Sequence, residues 1–213
     1  MVVRAVAVRA LAVAVGLSGV VSSAAEIGGA NWADDVVAYS ANIQNYGGEL
    51  LSDATKWWIT GPPDADANGN GYAFDSVDQD TVAGWRSAAP GEYITMYWAT
   101  GIPDVPGDDV TLRYFAGPNA LADVYASVDG VSFTSLGAIG GGTSGYFRDA
   151  TIDLGGLFAA DVHFVKVVRA ASGPNTGMFF DAFAGVVVPE PTGLTLLVPP
   201  ALALWRRRGL RSW

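Results

Sequence analysis

The stretch that most directly indicates the fold runs from Asp123 to Thr134 and reads DVYASVDGVSFT. Its first half places Val, Ala and Val at alternate positions, so that these side chains share one face of an extended chain. Asp129-Gly130 follows, the dipeptide favoured in tight hairpin turns, and Ser132-Phe133-Thr134 then begins a second β-rich run. The stretch therefore predicts a β-hairpin.

Similar short runs lie on both sides of this hairpin. They are rich in aromatic and β-branched residues, and Gly, Pro, Asn and Asp separate them, whereas no helical stripe is evident. The runs are Glu92–Thr100, Val110–Ala116, Tyr146–Leu154, Val162–Arg169 and Met178–Val188, with shorter ones around Trp85 and at Trp57-Trp58-Ile59. Their number and spacing predict an all-β fold, a jelly-roll-like β-sandwich of about eight strands.

The order of these runs resembles the discoidin-like, or galactose-binding-like, jelly roll. The matching segments are Gly61–Asp64, Gly107–Val110, Ala122–Gly130, Phe164–Val168 and Phe180–Phe183. The resemblance covers most of residues 57–188. It implies a sandwich fold and a tendency to bind glycans or surfaces, and it implies no activity.

The N-terminal end is typical of a secretory signal peptide. Arg4 and Arg9 lie in a basic first part, residues 10–21 are apolar, and Ser22-Ser23-Ala24-Ala25 supplies the small residues of a cleavage site. We expect a signal-peptide helix over residues 1–25, recognised by the Sec export machinery and cut by signal peptidase after Ala24 or Ala25. A signal-anchor helix is the alternative, and the small residues at its end argue against it.

The C-terminal end has three parts: Pro189-Glu190-Pro191, the apolar segment from Leu194 to Trp205, and a basic terminus with Arg206, Arg207 and Arg208. This order resembles the PEP-CTERM sorting signal of Gram-negative bacteria, which implies processing by an exosortase near the Pro-Glu-Pro site. The prolines favour an extended backbone, which suits a protease cleft. An ordinary hydrophobic tail with basic residues is the alternative.

The apolar segment of this tail is too short for a comfortable bilayer span, which needs roughly 20 residues. Pro199-Pro200 interrupts it, and the arginines favour the cytoplasmic side. We expect a short hydrophobic helix that acts as a transmembrane segment only transiently, in the inner membrane. The domain organisation is thus a signal peptide (1–25), a β-sandwich domain (26–187) and a sorting tail (188–213), which predicts a protein exported to the cell surface or extracellular matrix.

The body between these ends is strongly acidic. The whole chain has 12 Lys+Arg and 21 Asp+Glu, and residues 26–188 keep six of the basic and 20 of the acidic ones, a formal charge of −14. Such a body repels phosphate backbones, so we expect no nucleic-acid partner. The chain has no cysteine, so packing, with or without a metal, must stabilise the exported domain.

A calcium-binding loop is predicted within residues 64–75, which read DADANGNGYAFD. Oxygen donors at alternate positions resemble the start of a calcium loop, and calcium takes six to eight oxygen ligands. The candidate ligands are Asp64, Asp66, Asn68, Asn70 and Asp75. A polar surface loop is the alternative, because turns use the same residue types. A second site between strands is considered at Asp108, Asp109 and Asp181.

Aromatic residues are the second candidate for ligand binding, because exposed rings are the usual platform for sugars. The first half of the body is rich in them, and Trp57, Trp58 and Tyr72 are the chosen candidates. Core packing is the alternative. If Trp57 and Trp58 lie on a strand, they point to opposite sides, and one of them is at the surface.

A catalytic centre is hard to assemble from this composition. His163 is the only histidine and lies on a predicted strand, where a hydrogen-bonded or edge role is expected. No nucleophile elbow is present, and nothing singles out a carboxylate pair among the acidic residues. We therefore expect a noncatalytic surface or matrix protein whose sandwich binds extracellular polysaccharide. The alternatives are a secreted polysaccharide hydrolase with an unrecognised carboxylate site, and a matrix domain without a ligand.

Overall fold

The structure, a computed structural model, describes residues 31–63, 81–86, 90–141, 146–171 and 174–186. These parts contain ten β-strands and one turn of 3-10 helix at Lys56–Trp58, and no α-helix. The strands are β1 (Asn31–Trp32), β2 (Asp35–Tyr39), β3 (Ala83–Trp85), β4 (Tyr93–Ile102), β5 (Val110–Ala116), β6 (Leu121–Ser127), β7 (Thr134–Gly140), β8 (Phe147–Ile152), β9 (Val162–Arg169) and β10 (Met178–Gly185).

The strands form two five-stranded antiparallel sheets, which confirms the predicted all-β sandwich. Sheet A has the order β1-β10-β5-β8, and β3 also pairs with β10. Sheet B has the order β2-β4-β9-β6-β7. Most neighbours in a sheet are distant along the chain, so the connections cross repeatedly between the two sheets.

The inner faces of the two sheets share one hydrophobic core. Along β4, Ile94, Met96 and Trp98 are fully buried at alternate positions, and β5 contributes its own alternate positions in the same way. Trp85 and Phe180 meet edge to face inside this core, with ring centroids 5.6 Å apart. Burial of these aliphatic and aromatic side chains is the main stabilising contribution in a domain without disulfides.

The predicted hairpin at Asp129-Gly130 joins β6 to β7. The Asp129 carboxylate accepts hydrogen bonds from the backbone N–H groups of Ser132 and Val131 and from the Ser127 hydroxyl, at 2.8–2.9 Å. These bonds, with the one to Ser132 N–H first, lower the pKa of Asp129 to about 2. Gly130 has φ +72°, which explains the glycine after the aspartate. The prediction is confirmed, and a charged turn residue fixes this connection locally.

Two differences from the sequence-based expectation concern short elements. The eight strands predicted at the hairpin, at the five longer runs and around Trp85 all occur, whereas β1 and β2 were not predicted. The strand expected at Trp57-Trp58-Ile59 is wrong, because local hydrogen bonds form a 3-10 turn instead. In this turn the N–H of Trp58 donates to the carbonyl of Thr55 at 3.1 Å, and the N–H of Ile59 donates to that of Lys56 at 3.2 Å.

The predicted terminal segments lie outside the described residues. This holds for the signal-peptide helix, for Pro189-Glu190-Pro191, for the apolar helix and for the arginines that follow it. Within the parts that are described, no helix has the length and apolar character needed to cross a membrane.

Candidate functional site

The outer face of sheet B carries a row of half-buried aromatic rings. On β4 the residues that alternate with the buried core positions are Tyr93, Thr95 and Tyr97, and they face away from sheet A. On β9 and β6 the corresponding outward aromatics are Phe164 and Tyr125. We call this surface, made by Tyr93, Tyr97, Tyr125, Phe164 and the adjoining Phe133, the aromatic face.

Strand register brings these rings together. Tyr97 on β4 is the cross-strand partner of Phe164 on β9, and their ring centroids are 5.2 Å apart. Tyr125 on β6 is the partner of Lys166 on the same central strand. Cross-strand partners on one face lie about 4.5–5.5 Å apart, close enough to form a continuous surface.

Lys166 lies in the middle of the aromatic face. Its ammonium is 4.4 Å from the ring centroid of Tyr93 and 5.5 Å from that of Phe133. Cation–π contacts of this kind hold the ammonium over the rings, and its three N–H donors leave capacity for hydrogen bonds to a ligand. The face thus combines apolar ring surfaces with a central cationic donor.

The chosen tryptophans lie elsewhere. Trp57 is 54% exposed and Trp58 is 3% exposed, so one of the pair is at the surface, as predicted. The cause is the 3-10 turn rather than a strand. Trp58 belongs to the core, and Trp57 contacts it edge to face at 6.4 Å. Tyr72, the third chosen aromatic, lies outside the described residues.

Three carboxylates converge where the loop before β5 meets the loop after β8. One oxygen from each of Asp104, Asp109 and Asp153 lies within 4.8 Å of the others. The predicted inter-strand set of Asp108, Asp109 and Asp181 is wrong, since only Asp109 takes part in this cluster. Asp108 is exposed in the loop, and Asp181 is buried at a bulge of β10.

Backbone N–H groups already occupy these carboxylates. Asp109, which is 1% exposed, accepts from Val105 at 3.0 Å and from Leu154 at 2.9 Å. Asp104 accepts from Gly156 at 2.9 Å and Phe158 at 3.1 Å. These N–H donors supply the positive potential that neighbouring carboxylates need. The cluster therefore holds the two loops together without a bound cation.

A divalent cation would fit this cluster only in part. Carboxylate oxygens are ligands that calcium accepts, but three carboxylates provide fewer than the six to eight oxygens it takes. The loop predicted to bind calcium, with Asp64, Asp66, Asn68, Asn70 and Asp75, lies outside the described residues, so that interpretation stays a prediction.

His163 has a structural role. Its Nδ1 is 2.7 Å from the carbonyl oxygen of Trp98, and its ring stacks on Tyr97 with centroids 6.3 Å apart. The expectation of a hydrogen-bonded histidine on a strand is confirmed. The stacking also helps to orient Tyr97 on the aromatic face.

Sequence reasoning considered Tyr93 and Tyr97 as members of an aromatic-rich region but did not single them out, and it missed Tyr125, Phe133, Phe164 and Lys166 as a group. Alternation offered a signal, because the positions between predicted core residues on three strands hold aromatics or lysine. The signal was incomplete, because only strand order tells which of these strands are neighbours.

Comparisons with known proteins give structural matches only. The sequence matches no known protein family and no curated protein. Among solved structures, CBM32-1 from a family 31 glycoside hydrolase of Clostridium perfringens is 15% identical, with 74% of this chain and 97% of that chain covered and a TM-score of 0.42. The C-terminal domain of a chitobiase from Bacteroides fragilis is 13% identical, with 75% and 96% covered and a TM-score of 0.42.

A variant of a family 29 carbohydrate-binding module is 9% identical, with 70% of this chain and 91% of that chain covered and a TM-score of 0.37. Similarity at these scores carries no argument about what this chain binds.

Proposed function

We propose that this protein is an exported, noncatalytic surface or matrix protein whose β-sandwich binds glycan on the aromatic face of sheet B. The observation that carries the proposal is the set of partly exposed rings on one side of a regular sheet, with Lys166 among them. Nine of the 20 aromatic side chains in the described parts are buried, whereas the five rings of this face lie together on the outer side of one sheet, where packing into the core does not explain them.

The chemistry of the face matches that of a sugar chain. A pyranose ring presents C–H groups on its faces and hydroxyls at its edge, so it needs flat apolar surfaces bordered by hydrogen-bonding groups. The aromatic face offers ring surfaces from Tyr97 and Phe164, and it offers polar groups from Lys166 and the tyrosine hydroxyls. Rigid strands hold these groups in place, which limits the ordering entropy lost on binding.

The absence of turnover is part of the proposal. Its support is that the one histidine is hydrogen-bonded to a strand carbonyl, while Asp104 and Asp109 accept hydrogen bonds from backbone N–H groups. A secreted hydrolase would instead need two carboxylates that flank a sugar-binding cleft.

The sorting step is proposed on the sequence of the two ends. A signal peptide, followed after the body by Pro189-Glu190-Pro191, an apolar segment and arginines, supports export, a transient hold in the inner membrane and cleavage by an exosortase. Calcium is proposed as a structural ion of the loop at residues 64–75, supported by the order of its oxygen donors.

Glycan binding is tested with the exported protein in native affinity electrophoresis against plant and bacterial polysaccharides, including the host's own matrix polysaccharide. Tyr97→Ala and Tyr125→Ala are expected to weaken binding at least tenfold, which is about 1.4 kcal/mol. Tyr146→Ala is the matched control, because Tyr146 is 54% exposed but precedes β8 in sheet A. Equal losses in all three variants, or no retardation of the unmodified protein, contradict the proposal; release of reducing sugar favours the hydrolase.

Sorting is tested by the intact mass of the protein from the matrix of its host and from an exosortase-deficient strain. We expect a mature chain that lacks residues 1 to about 25 and the tail beyond Pro191, with the tail retained in the deficient strain. An uncut tail in both strains would show that the apolar segment is only an anchor.

A further inference from the structure

A small cavity lies on sheet A, whereas the aromatic face belongs to sheet B. Its volume is about 240 Å³. Phe115 on β5 and Phe179 on β10 are cross-strand partners and form its apolar floor. The ring of Tyr46 stands edge-on against both, with centroids 6.1 and 5.3 Å away.

The guanidinium of Arg86 lines this cavity. It lies 5.0 Å from the ring centroid of Tyr46 and donates one hydrogen bond to the carbonyl oxygen of that residue. No carboxylate of the described residues lies within ion-pair distance of it. Three other basic residues do form ion pairs. Lys56 pairs with Asp35 and Asp53, Arg113 pairs with Asp149, and Arg169 pairs with Glu92.

Arg86 is exposed and is one of only six basic residues in a body with a formal charge of −14. One N–H is used by Tyr46, and a guanidinium has five, so several donors remain. The contact with the Tyr46 ring and the hydrogen bond to the Tyr46 carbonyl hold the planar guanidinium in one orientation before any ligand binds. The N–H groups along one edge of a guanidinium match the two oxygens of a carboxylate.

Another part of the lining is built from closely packed backbone. Gly117 N–H donates to the carbonyl of Gly177 at 2.9 Å, and Asn119 N–H donates to that of Asn175 at 3.1 Å. A Cβ on Gly117 would lie 2.3 Å from the Asn175 carbonyl oxygen, so only glycine permits this approach. Asn175 itself has φ +59°, the one non-glycine residue with positive φ in the described parts. Its side-chain amide is exposed beside the cavity and offers both a donor and an acceptor.

We propose that this cavity binds one carboxylate-bearing sugar unit, a uronate, as a site separate from the aromatic face. In this site Phe115 and Phe179 contact the C–H face of the sugar ring. Arg86 pairs with the carboxylate, and the Asn175 amide forms a hydrogen bond with a sugar hydroxyl. The volume is below the roughly 300–1,000 Å³ of pockets for drug-sized ligands, so it suits a single ring or a chain end. The inference does not depend on glycan binding by sheet B.

The test is isothermal titration calorimetry of the exported protein with oligogalacturonate and with the same oligomer after carboxyl reduction, which removes the charge and keeps the sugar rings. We expect the uronate oligomer to bind at least tenfold more tightly than the reduced one. Arg86→Gln is expected to lower the uronate affinity at least tenfold and to leave the reduced oligomer within twofold. Asn175→Gly keeps the positive φ and removes the amide, and we expect it to weaken both ligands.

Two controls separate this site from a general effect of charge and from misfolding. Arg148→Gln removes a cation of β8 that does not line the cavity, and it is expected to leave uronate binding within twofold. Unchanged thermal unfolding of Arg86→Gln shows that the fold is intact; if that variant unfolds early, Arg86→Lys, which keeps the charge but not the planar guanidinium, takes its place. Equal binding of the two oligomers, undiminished uronate binding by Arg86→Gln, or no uronate binding by the unmodified protein overturns the proposal.

Discussion

Gly84→Ala provides a sharp test of how β3 is held in sheet A. An added Cβ would lie 2.0 Å from the carbonyl oxygen of Met178 and 2.6 Å from the Cα of Phe179, both backbone atoms of β10. Since real Cβ contacts are longer than 3.0 Å, β3 must move by about 1 Å or more. The other side offers no room, because Gly84 and Gln44 exchange two backbone hydrogen bonds of 2.9 Å each.

The magnitude follows from these contacts. Overpacking costs about 1–3 kcal/mol, and loss of the two hydrogen bonds with Gln44 adds about 0.5–1.5 kcal/mol each. The expected destabilisation is therefore about 2–6 kcal/mol, against a total stability of about 5–15 kcal/mol for a domain. At about 2–4 °C per kcal/mol for a domain of this size, the Tm should fall by at least about 4 °C.

The assay is urea unfolding followed by tryptophan fluorescence, with thermal unfolding followed by circular dichroism. Gly140→Ala is the matched control, because its added Cβ would meet nothing closer than 3.9 Å, and we expect it to lie within about 0.5 kcal/mol of the unmodified protein. A Gly84→Ala protein as stable as the Gly140→Ala protein would refute the close approach of β3 to β10.

Three further outcomes are expected. The stability advantage of the unmodified protein over Asp129→Asn should be present above pH 4 and lost as the pH falls from about 4 to about 2, because the folded pKa of Asp129 lies below the unfolded value of 3.8; a difference constant over this range in urea unfolding would contradict the turn geometry. Asp109→Ala should destabilise the protein by about 2–4 kcal/mol, since the backbone N–H groups of Val105 and Leu154 lose their acceptor. Asp108→Ala is the control and should have little effect, so equal urea-unfolding midpoints of the two variants would contradict this role of Asp109. Millimolar calcium should raise the Tm and EDTA should reverse this, and Asp64→Ala combined with Asp66→Ala should abolish the response; a response that persists in that variant places the ion elsewhere.

The strands were predictable because their signals are local. Alternation of apolar residues over five to eight positions and the Asp129-Gly130 turn are properties of neighbouring residues, and they identified eight of the ten strands. The two strands missed are short, and one begins with a charged residue. The strand predicted at Trp57-Trp58-Ile59 was wrong because a 3-10 turn, stabilised by a hydrogen bond to the Thr55 carbonyl, competes with strand pairing over so few residues.

By itself, the sequence determined the all-β class, the hairpin and the expectation of export and sorting, because each depends on a composition or an order that is continuous along the chain. Only the tertiary structure decided which groups meet. Asp109 joins Asp104 and Asp153 rather than Asp108 and Asp181, and Tyr46 meets Arg86 from 40 residues away. Such meetings depend on strand order in the two sheets, which is set by long-range packing of the core, and no local pattern along the chain specifies that order.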